Sequence, residues 1–477
     1  MTRRVAILGG GISGLVAAYR LVSASHTEPV EVVLYEADQR LGGIIQSDLS
    51  QGLVLEGGPD SFLKRKPEAL ELVRELGLGD QIMGTNPHTH GAYIFHRGHF
   101  HDIPPGVRAG IPTRLNALWT TELLALGEKV RLWGDLVLPP RPILDDLSLG
   151  SLLRYRFGDG YVDRIAAPIL AGIYAGDIDR LSLRVTAPQL LDYQSRGISL
   201  IREAQRALKA QPSKGSSGGG MFVSLTSGIE SLVTRLAKII SEAATVHLGE
   251  PVIRVTGGRG GYMVHSDGRT LEVTDVVAAL PAFQAARVLT FLDESTKKIL
   301  TDIPYADLAV VGAVYDESAI GRELSATGFV VPRGEGIDMT AGTWIRAKWD
   351  YPDRADLVPI RAFFGRADQP DLLKDSDNEI LAKFRREMGY VMGVTEAPRF
   401  ARVFRIPQGM PQYLVGHQEA MRHLRNAQAA IPGLKMIGAY WDGVGVSDCI
   451  RHANKAASEL LTDWSGSPNQ AALPRSR

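Results

Sequence analysis

Six residues near the start of the chain constrain its fold more than any other feature. Residues 5–8 (VAIL) read as a short buried strand. Gly9, Gly10, Gly11, Ile12, Ser13 and Gly14 follow as a glycine loop, and a helical stretch runs on through Leu21. A second apolar run, residues 30–35, ends on an acid, Glu36. Strand, glycine turn, helix and strand in this order form the layout that receives a dinucleotide. Gly9 makes the tight turn, Gly11 lets the backbone approach a pyrophosphate, and Gly14 lets helix and strand pack closely. The helix offers its free N–H groups and positive dipole end to the phosphates. Glu36, about twenty residues beyond the loop, stands where a carboxylate accepts hydrogen bonds from ribose hydroxyls.

The residues after Glu36 choose among dinucleotides. Ala37 is followed closely by Arg40, Leu41, Gly42, Gly43 and Ile44, where a minimal nicotinamide fold would continue into an ordinary crossover helix. An arginine and two glycines here suit a chain that follows an extended cofactor past its diphosphate. Residues 53–56 then lead into Gly57, Gly58, Pro59, Asp60 and Ser61, a second glycine turn able to bring bare amides near a flat ring. Each piece alone is a tight turn. In this order after a Rossmann opening they imply FAD.

Bulk properties narrow the class. The 477 residues suffice for two or three domains with cores of their own. Lys plus Arg and Asp plus Glu both total 53, so no global positive field points to nucleic acid. A single cysteine, Cys449, excludes an internal disulfide and fits a reducing compartment. Residues 1–4 lead straight into the first strand without a signal peptide, and no apolar run approaches the roughly 20 residues of a spanning helix. The expectation is a cytoplasmic protein.

The expected fold is α/β: a Rossmann-like FAD-binding domain of the amine oxidase type, with an α+β substrate-binding domain and an inserted helical domain. The FAD-binding domain is discontinuous (1–65, 221–299 and 432–466). Residues 66–110 and 300–431 form the substrate-binding domain and 111–210 the helical insert, while the Gly/Ser-rich stretch 211–220 reads as a flexible loop. Within the second piece, residues 276–280 resemble a parallel strand buried on both faces. In the insert, Leu115, Leu118, Trp119, Leu123, Leu126, Val130, Leu132, Trp133 and Leu136 form an apolar stripe. A stripe of this kind is first a core face; the sharper reading is a peripheral membrane contact.

Near the C-terminus, Gly438 to Asp448 runs from a strand into the last helix. Ser447 or Asp448 can cap that helix, whose N–H groups then point at whatever lies above. For a flavin this is the N1–C2=O edge, where negative charge gathers on reduction. Gly443 and Gly445 flanking Val444 suggest a backbone pressed against a ligand.

Taken together, the loop 9–14, Glu36, 40–43, 57–63 (GGPDSFL), 171–177 (AGIYAGD), 410–413 (MPQY) and 443–450 (GVGVSDCI) resemble the protoporphyrinogen/coproporphyrinogen oxidases over nearly the whole chain. The first blocks belong to the wider amine oxidase and desaturase superfamily. The last three are more particular to porphyrinogen oxidases. Residues 58–63 followed by Lys64, Arg65 and Lys66 are most similar to the Gram-positive type, which oxidises coproporphyrinogen III. The resemblance implies FAD contacts at residues 9–14, Glu36, Ala37, Ile44, Gly58, Pro59, Asp60, Ser61, Val444, Gly445 and Val446, with Val252 beside the adenine. It also implies a substrate pocket that takes Ile173 and Tyr174 from the insert and Gly328 and Val330 from another wall. Hand-over of the product to a ferrochelatase belongs to the same expectation.

The implied reaction removes a hydride from each of three porphyrinogen methylene bridges with loss of pyrrole N–H protons, O₂ ending as hydrogen peroxide. Such chemistry belongs to the cofactor, and no side-chain base stands out. The propionates do need cations. Lys66, with Arg65, is the candidate partner, against a solvated helix start. His88, His90, His96, His99 and His101 cluster without any helical zinc spacing. Residues 215–219 match a nucleophile elbow but lack its preceding strand. Cys449 beside a helix start could have a lowered pKa or simply pack. Competing functions are a protoporphyrinogen IX oxidase, an amine oxidase or carotenoid desaturase (for which Tyr440 and Trp441 could cage an amine), and a non-catalytic tetrapyrrole carrier.

Overall fold

The computed structural model describes residues 3–25, 29–50, 52–89, 91–108, 110–141, 145–210, 220–258, 260–351 and 356–465. Nearly all of the 211–220 loop, the 215–219 motif and His90 therefore lie outside the described residues.

Alternating β-branched and aliphatic residues build the first layer. Arg3–Leu8 pairs in parallel with Val30–Tyr35 on one side and Asp275–Ala278 on the other. Thr245–His247 and Leu434–Met436 complete a five-stranded parallel sheet at its two edges. Three segments far apart in sequence thus share one sheet. The pleat sends Val5, Ile7, Val32 and Leu34 to one face, where the helices Ile12–Ala24, Glu230–Ala243 and Val446–Ser465 cover them. Ala6, Leu8, Val33 and Tyr35 face the other way, onto the antiparallel meander Arg254–Gly258, Gly261–Ser266 and Arg269–Val273. The strand read at 276–280 is Asp275–Ala278, buried throughout.

The second layer is a seven-stranded sheet. It runs Phe400–Pro411, Tyr305–Asp316, Leu357–Phe364, Met339–Trp344, Gly328–Val330, Tyr93–His96 and His99–Asp102, antiparallel except where Gly328–Val330 meets Tyr93–His96. The helix Asp377–Met392 covers one face, burying Ile380, Phe384 and Met388. Its start is a capping box: Ser376 Oγ accepts from Glu379 N–H, and the Glu379 carboxylate accepts from Ser376 N–H. Phe222–Leu225 joins neither large sheet; it pairs with Phe62–Leu63 and Ile82–Gly84.

Beyond the short strand Ile111–Pro112, which pairs with Val107–Arg108, the regular elements of the described part of 111–210 are helical, and its apolar face divides. Leu115, Leu118, Leu123 and Leu132 enter the insert's core, whereas Trp119, Leu126, Val130, Trp133 and Val137 are 41–79% exposed. Lys129 Nζ donates to the Trp119 carbonyl at 2.8 Å, which holds the two exposed halves together. Among the described residues no helix is long and apolar enough to cross a membrane.

One buried pair fixes the insert. Asp135 and Arg156 are both fully buried, with Arg156 Nη1 3.6 Å from Asp135 Oδ1. Asp135 also accepts from Ser199 Oγ at 2.6 Å and from the amides of Leu200 and Ile201 at the start of the helix Leu200–Ala210. Removing the acid strands a desolvated guanidinium and uncaps that helix together. Asp135→Ala is expected to cost about 3–5 kcal/mol, read as a loss of Tm in thermal unfolding and as early proteolysis within 111–210.

Candidate active site

Glycine chemistry sets the first wall. Gly9 adopts φ +99°, the turn reserved for glycine, and a Cβ at Gly14 would overlap the Gly9 carbonyl. Gly11 differs: its φ is an ordinary −68° and no atom lies within 4 Å of where its Cβ would point. Neither backbone nor packing demands glycine there, so the requirement comes from whatever approaches the open side. Behind it, the helix Ile12–Ala24 starts without a side-chain cap and without an acid in its first turn. Its leading amides have no intrahelical acceptors and suit an anion. This cradle fits the diphosphate of a dinucleotide. Glu36 stands over the loop, accepting from Gly10 N–H at 2.6 Å and Asp38 N–H at 2.9 Å. Ala37 is exposed beside it, and Val252 is half-buried beyond Glu250, whose amide donates to the Glu36 carbonyl.

The next segment is tied to the first by main chain, Gly42 N–H donating to the Gly10 carbonyl at 2.8 Å. Arg40 does not reach outward along this path. Its guanidinium donates to the carbonyls of Gly43 and Ile45 and pairs with Glu230 at 3.4 Å. Its part is to shape the loop that presents Ile44, which is 45% exposed.

In the second glycine turn the glycines answer to protein packing. A Cβ at Gly58 would overlap the Ile44 carbonyl, and one at Gly57 would enter the Phe404 ring. Asp60, expected from the sequence at the cofactor, pairs with Lys348 Nζ at 2.7 Å and Arg361 Nη1 at 2.9 Å. Arg361 Nη2 also donates to the Gly58 carbonyl at 2.5 Å. Ser61 Oγ donates to Asp60, and Pro59 is half-buried between them. Burial alone would raise the Asp60 carboxyl, but Lys348 and Arg361 outweigh it and hold it well below the usual range. Glu56 is 3% exposed and makes no ion pair among the described residues. Burial pushes it up to about 7, against hydrogen bonds from Ser47 Oγ and Ile229 N–H and the more distant Arg361.

The third segment closes the site. Val444 is half-buried, Gly445 exposed and Val446 buried at the head of the terminal helix. Asp448 does not need a ligand to explain the glycines before it: its carboxylate folds back so closely that a Cβ at Gly443 would overlap it. Lys66 Nζ, expected at a propionate, donates to both Asp448 oxygens at 2.7 and 2.5 Å. Arg65 is exposed and makes no ion pair among the described residues. Burial pushes the Cys449 thiol up to about 11 although Ser13 hydrogen-bonds it, so packing prevails over the helix start.

The remaining wall brings two motifs together. A π turn, Val162–Ala166, feeds the helix Ala167–Tyr174, which ends at Ala175 in the left-handed conformation (φ +48°). Ile173 is 46% exposed. Tyr174 donates to the Thr186 carbonyl at 3.1 Å; burial raises its phenol, as does Asp448, while Arg65 lowers it. Val330 packs with Tyr174 on one apolar cluster, but Gly328 is sealed within the sheet against the Gly342 carbonyl. Gln412, from 410–413, donates Nε2 to the Tyr174 carbonyl at 3.0 Å, and its Oε1 sits where a Cβ on Gly176 would be. Tyr413 donates to the Ala439 carbonyl and accepts Ser182 N–H at its own, joining insert and terminal segment. Tyr440 and Trp441 form no cage: both are buried and stack on each other, with Trp441 Nε1 donating to the Met436 carbonyl.

Comparison with known proteins agrees with this geometry. Residues 12–461 match the family described as flavin containing amine oxidoreductase. The coproporphyrinogen III oxidase of Bacillus subtilis (strain 168) is 34% identical, covering 96% of this chain and 98% of its own. That of Staphylococcus aureus is 32% identical over 97% of this chain and 100% of its own. Among solved structures, a candidate protoporphyrinogen oxidase from Exiguobacterium sp. 255-15 superposes with TM-score 0.87 at 32% identity, covering 97% and 99% of the two chains. The chain belongs to the flavin containing amine oxidoreductases, and within them to the protoporphyrinogen/coproporphyrinogen oxidases. Its cofactor is FAD.

The roles of Glu56, Lys348 and Arg361 escaped the sequence reading. Arg361 left one signal, a charge inside the apolar run 357–364. Glu56 yields a pH test. An acid raised from 4.5 to about 7 on folding binds its proton more tightly in the folded state. Its contribution to stability is therefore full below 4.5 and lost as pH rises through 7. Glu56→Gln is expected to gain Tm over the parent progressively from pH 5 to pH 8, with a limit of about 3 kcal/mol. An equal offset at both pH values would refute a neutral buried acid.

Proposed function

We propose that this protein oxidises coproporphyrinogen III to coproporphyrin III, removing six electrons in three steps and giving three molecules of hydrogen peroxide from O₂. The observation that carries it is the contact between Gln412 and the Tyr174 carbonyl. It brings together two motifs particular to porphyrinogen oxidases, beside the head of the terminal helix. The Bacillus subtilis and Staphylococcus aureus relatives, matched over nearly their full length, are named coproporphyrinogen III oxidases.

Bound FAD supplies the two-electron acceptor and its reoxidation by O₂. The residues that would hold it are the amides of 9–14 for the diphosphate, Glu36 for the ribose, Ile44 and 58–61 near the ring, and 444–446 at its N1–C2=O edge. The rest of the work is apolar and electrostatic. Ile173 and Val330 offer aliphatic surface to a macrocycle, and Tyr174, tied to Thr186, stiffens that wall. Exclusion of water there strengthens every charge interaction inside. With Lys66 engaged by Asp448, Arg65 is the cation available to a propionate at the mouth. Pyrrole protons leave without a dedicated side-chain base; proximity and alignment carry the rate. We take 1–65, 221–299 and 432–466 as the unit that holds the cofactor.

A tetracarboxylate gains more from a free cation than a dicarboxylate does. A side-by-side measurement of kcat/KM is expected to favour coproporphyrinogen III over protoporphyrinogen IX, with Arg65→Ala raising KM for the former more. A preference for protoporphyrinogen would overturn the substrate and leave the flavin chemistry intact.

The exposed Trp119, Leu126, Val130, Trp133 and Val137 support a finer reading, a peripheral membrane contact through the insert. Two tryptophans beside Lys129 suit the headgroup level of a bilayer. The protein is expected to co-sediment with phosphatidylglycerol vesicles and to lose that association in Trp119→Ser/Trp133→Ser with its oxidase rate in solution unchanged. Absence of sedimentation by the parent protein would remove this contact. Hand-over of the product to a ferrochelatase is inferred from the chemistry of the product alone, a flat apolar ring that must receive a metal.

A further inference from the structure

Oxidation of the substrate leaves one buried ion pair without a task. Asp448 lies in the first turn of the terminal helix and is 4% exposed. Its carboxylate folds toward the helix head, with Oδ2 3.1 Å from where a Cβ on Gly445 would stand. A full negative charge is thus held against 443–446, the segment whose amides meet the ring on the reading above. An acid in a first turn favours the helix itself, yet a bare carboxylate in that place opposes the gain of negative charge by a neighbouring group.

Lys66 answers that charge. Its Nζ takes both Asp448 oxygens, and Ser447 Oγ donates to its carbonyl at 3.4 Å. Lys66 comes from the stretch just after the second glycine turn, so the pair also ties two of the three cofactor-facing segments together. Arg451 stands farther from Asp448, at 3.3 Å, and is closer to Asp442 at 2.8 Å. The other groups facing the pair are Tyr174, Arg65 and the buried Cys449.

We infer that Lys66 is a positioning residue that sets the reduction potential of the bound flavin by neutralising Asp448 at the head of the terminal helix. The inference rests on the flavin placement proposed above. With the pair intact, the helix amides act on the ring without an opposing anion. Loss of Lys66 uncovers the carboxylate and disfavours the reduced ring. Loss of the Asp448 charge leaves the ammonium and favours it.

The test is an equilibrium reductive titration of the FAD-loaded protein against a reference dye. Lys66→Met is expected to lower the ratio of reduced to oxidised flavin at fixed poise about tenfold, about 30 mV for a two-electron couple. Asp448→Asn is expected to shift the ratio the opposite way, the double variant to return toward the parent, and Lys66→Arg to stay near it. Opposite signs separate this role from structural damage, which moves Tm and FAD retention but gives no paired reversal. Variants that retain FAD with unshifted potentials would overturn the inference while leaving the flavin reading standing. A Lys66→Met enzyme changed only in KM for coproporphyrinogen would overturn it too, returning Lys66 to a propionate. A parent protein that takes up no FAD would instead sink the flavin reading itself.

Discussion

A half-buried carboxylate, that of Asp60, ties the second glycine turn to the part of the molecule built on the seven-stranded sheet. Asp60 leaves the second glycine turn and meets Arg361 from the seven-stranded sheet and Lys348 from the short helix Ile345–Lys348 beside it. Arg361 cannot be left alone: it is 2% exposed, and a guanidinium so placed is costly without its acid. The same guanidinium grips the Gly58 carbonyl. The geometry of the turn proposed to face the flavin is therefore set from the seven-stranded sheet. On the proposed function, a flat ring and a macrocycle must be held at a fixed separation for transfer, and this cluster ties the turn to the sheet by charge and hydrogen bond. Its polarity has a consequence next door. Glu56, close enough to feel Asp60, is pushed up to about 7 chiefly by its burial, with the Asp60 charge adding to the rise.

Much of this was legible before any coordinates. The apolar runs 5–8 and 30–35, the glycine spacing of 9–14 and the acid at 36 specify local geometry through burial and φ, which sequence carries directly. Where the structure departs from the reading, it does so in the partners of the residues. Gly57, Gly58 and Gly443 are obligatory, but Phe404, Ile44 and Asp448 exclude their side chains. Arg40, Asp60 and Lys66 are placed at the site and bonded to protein. A sequence shows that a charge is present; which opposite charge meets it depends on contacts hundreds of residues away, such as Asp60 with Lys348 or Lys66 with Asp448. Gly328 shows the same in reverse, a residue expected at a pocket wall that the neighbouring strand seals in.

The insert illustrates how one stripe serves two purposes. Period alone could not divide Leu115, Leu118, Leu123 and Leu132 from Trp119, Leu126, Val130 and Trp133, because the fold breaks the stripe into short helices whose faces rotate against each other. The insert nevertheless joins the site firmly. Asp135 and Arg156 lock it internally, while Gln412 and Tyr413 clasp it to the strand end and to the terminal segment.

Charge balance around the terminal helix then follows from what the rest has already fixed. Its head lies where the first helix also begins, Cys449 resting on Ser13, so two positive dipole ends converge on one region. Such a place accepts a diphosphate on one side and stabilises developing negative charge on the other. An acid introduced there must be neutralised or it cancels the benefit, and the chain supplies the neutralising ammonium from the stretch that the Asp60 cluster holds in position. The ion pair at the helix head and the ion cluster under the glycine turn are therefore coupled through six residues of backbone, 60 to 66. Disturbing the cluster should reach the flavin through Lys66 before it reaches it through space.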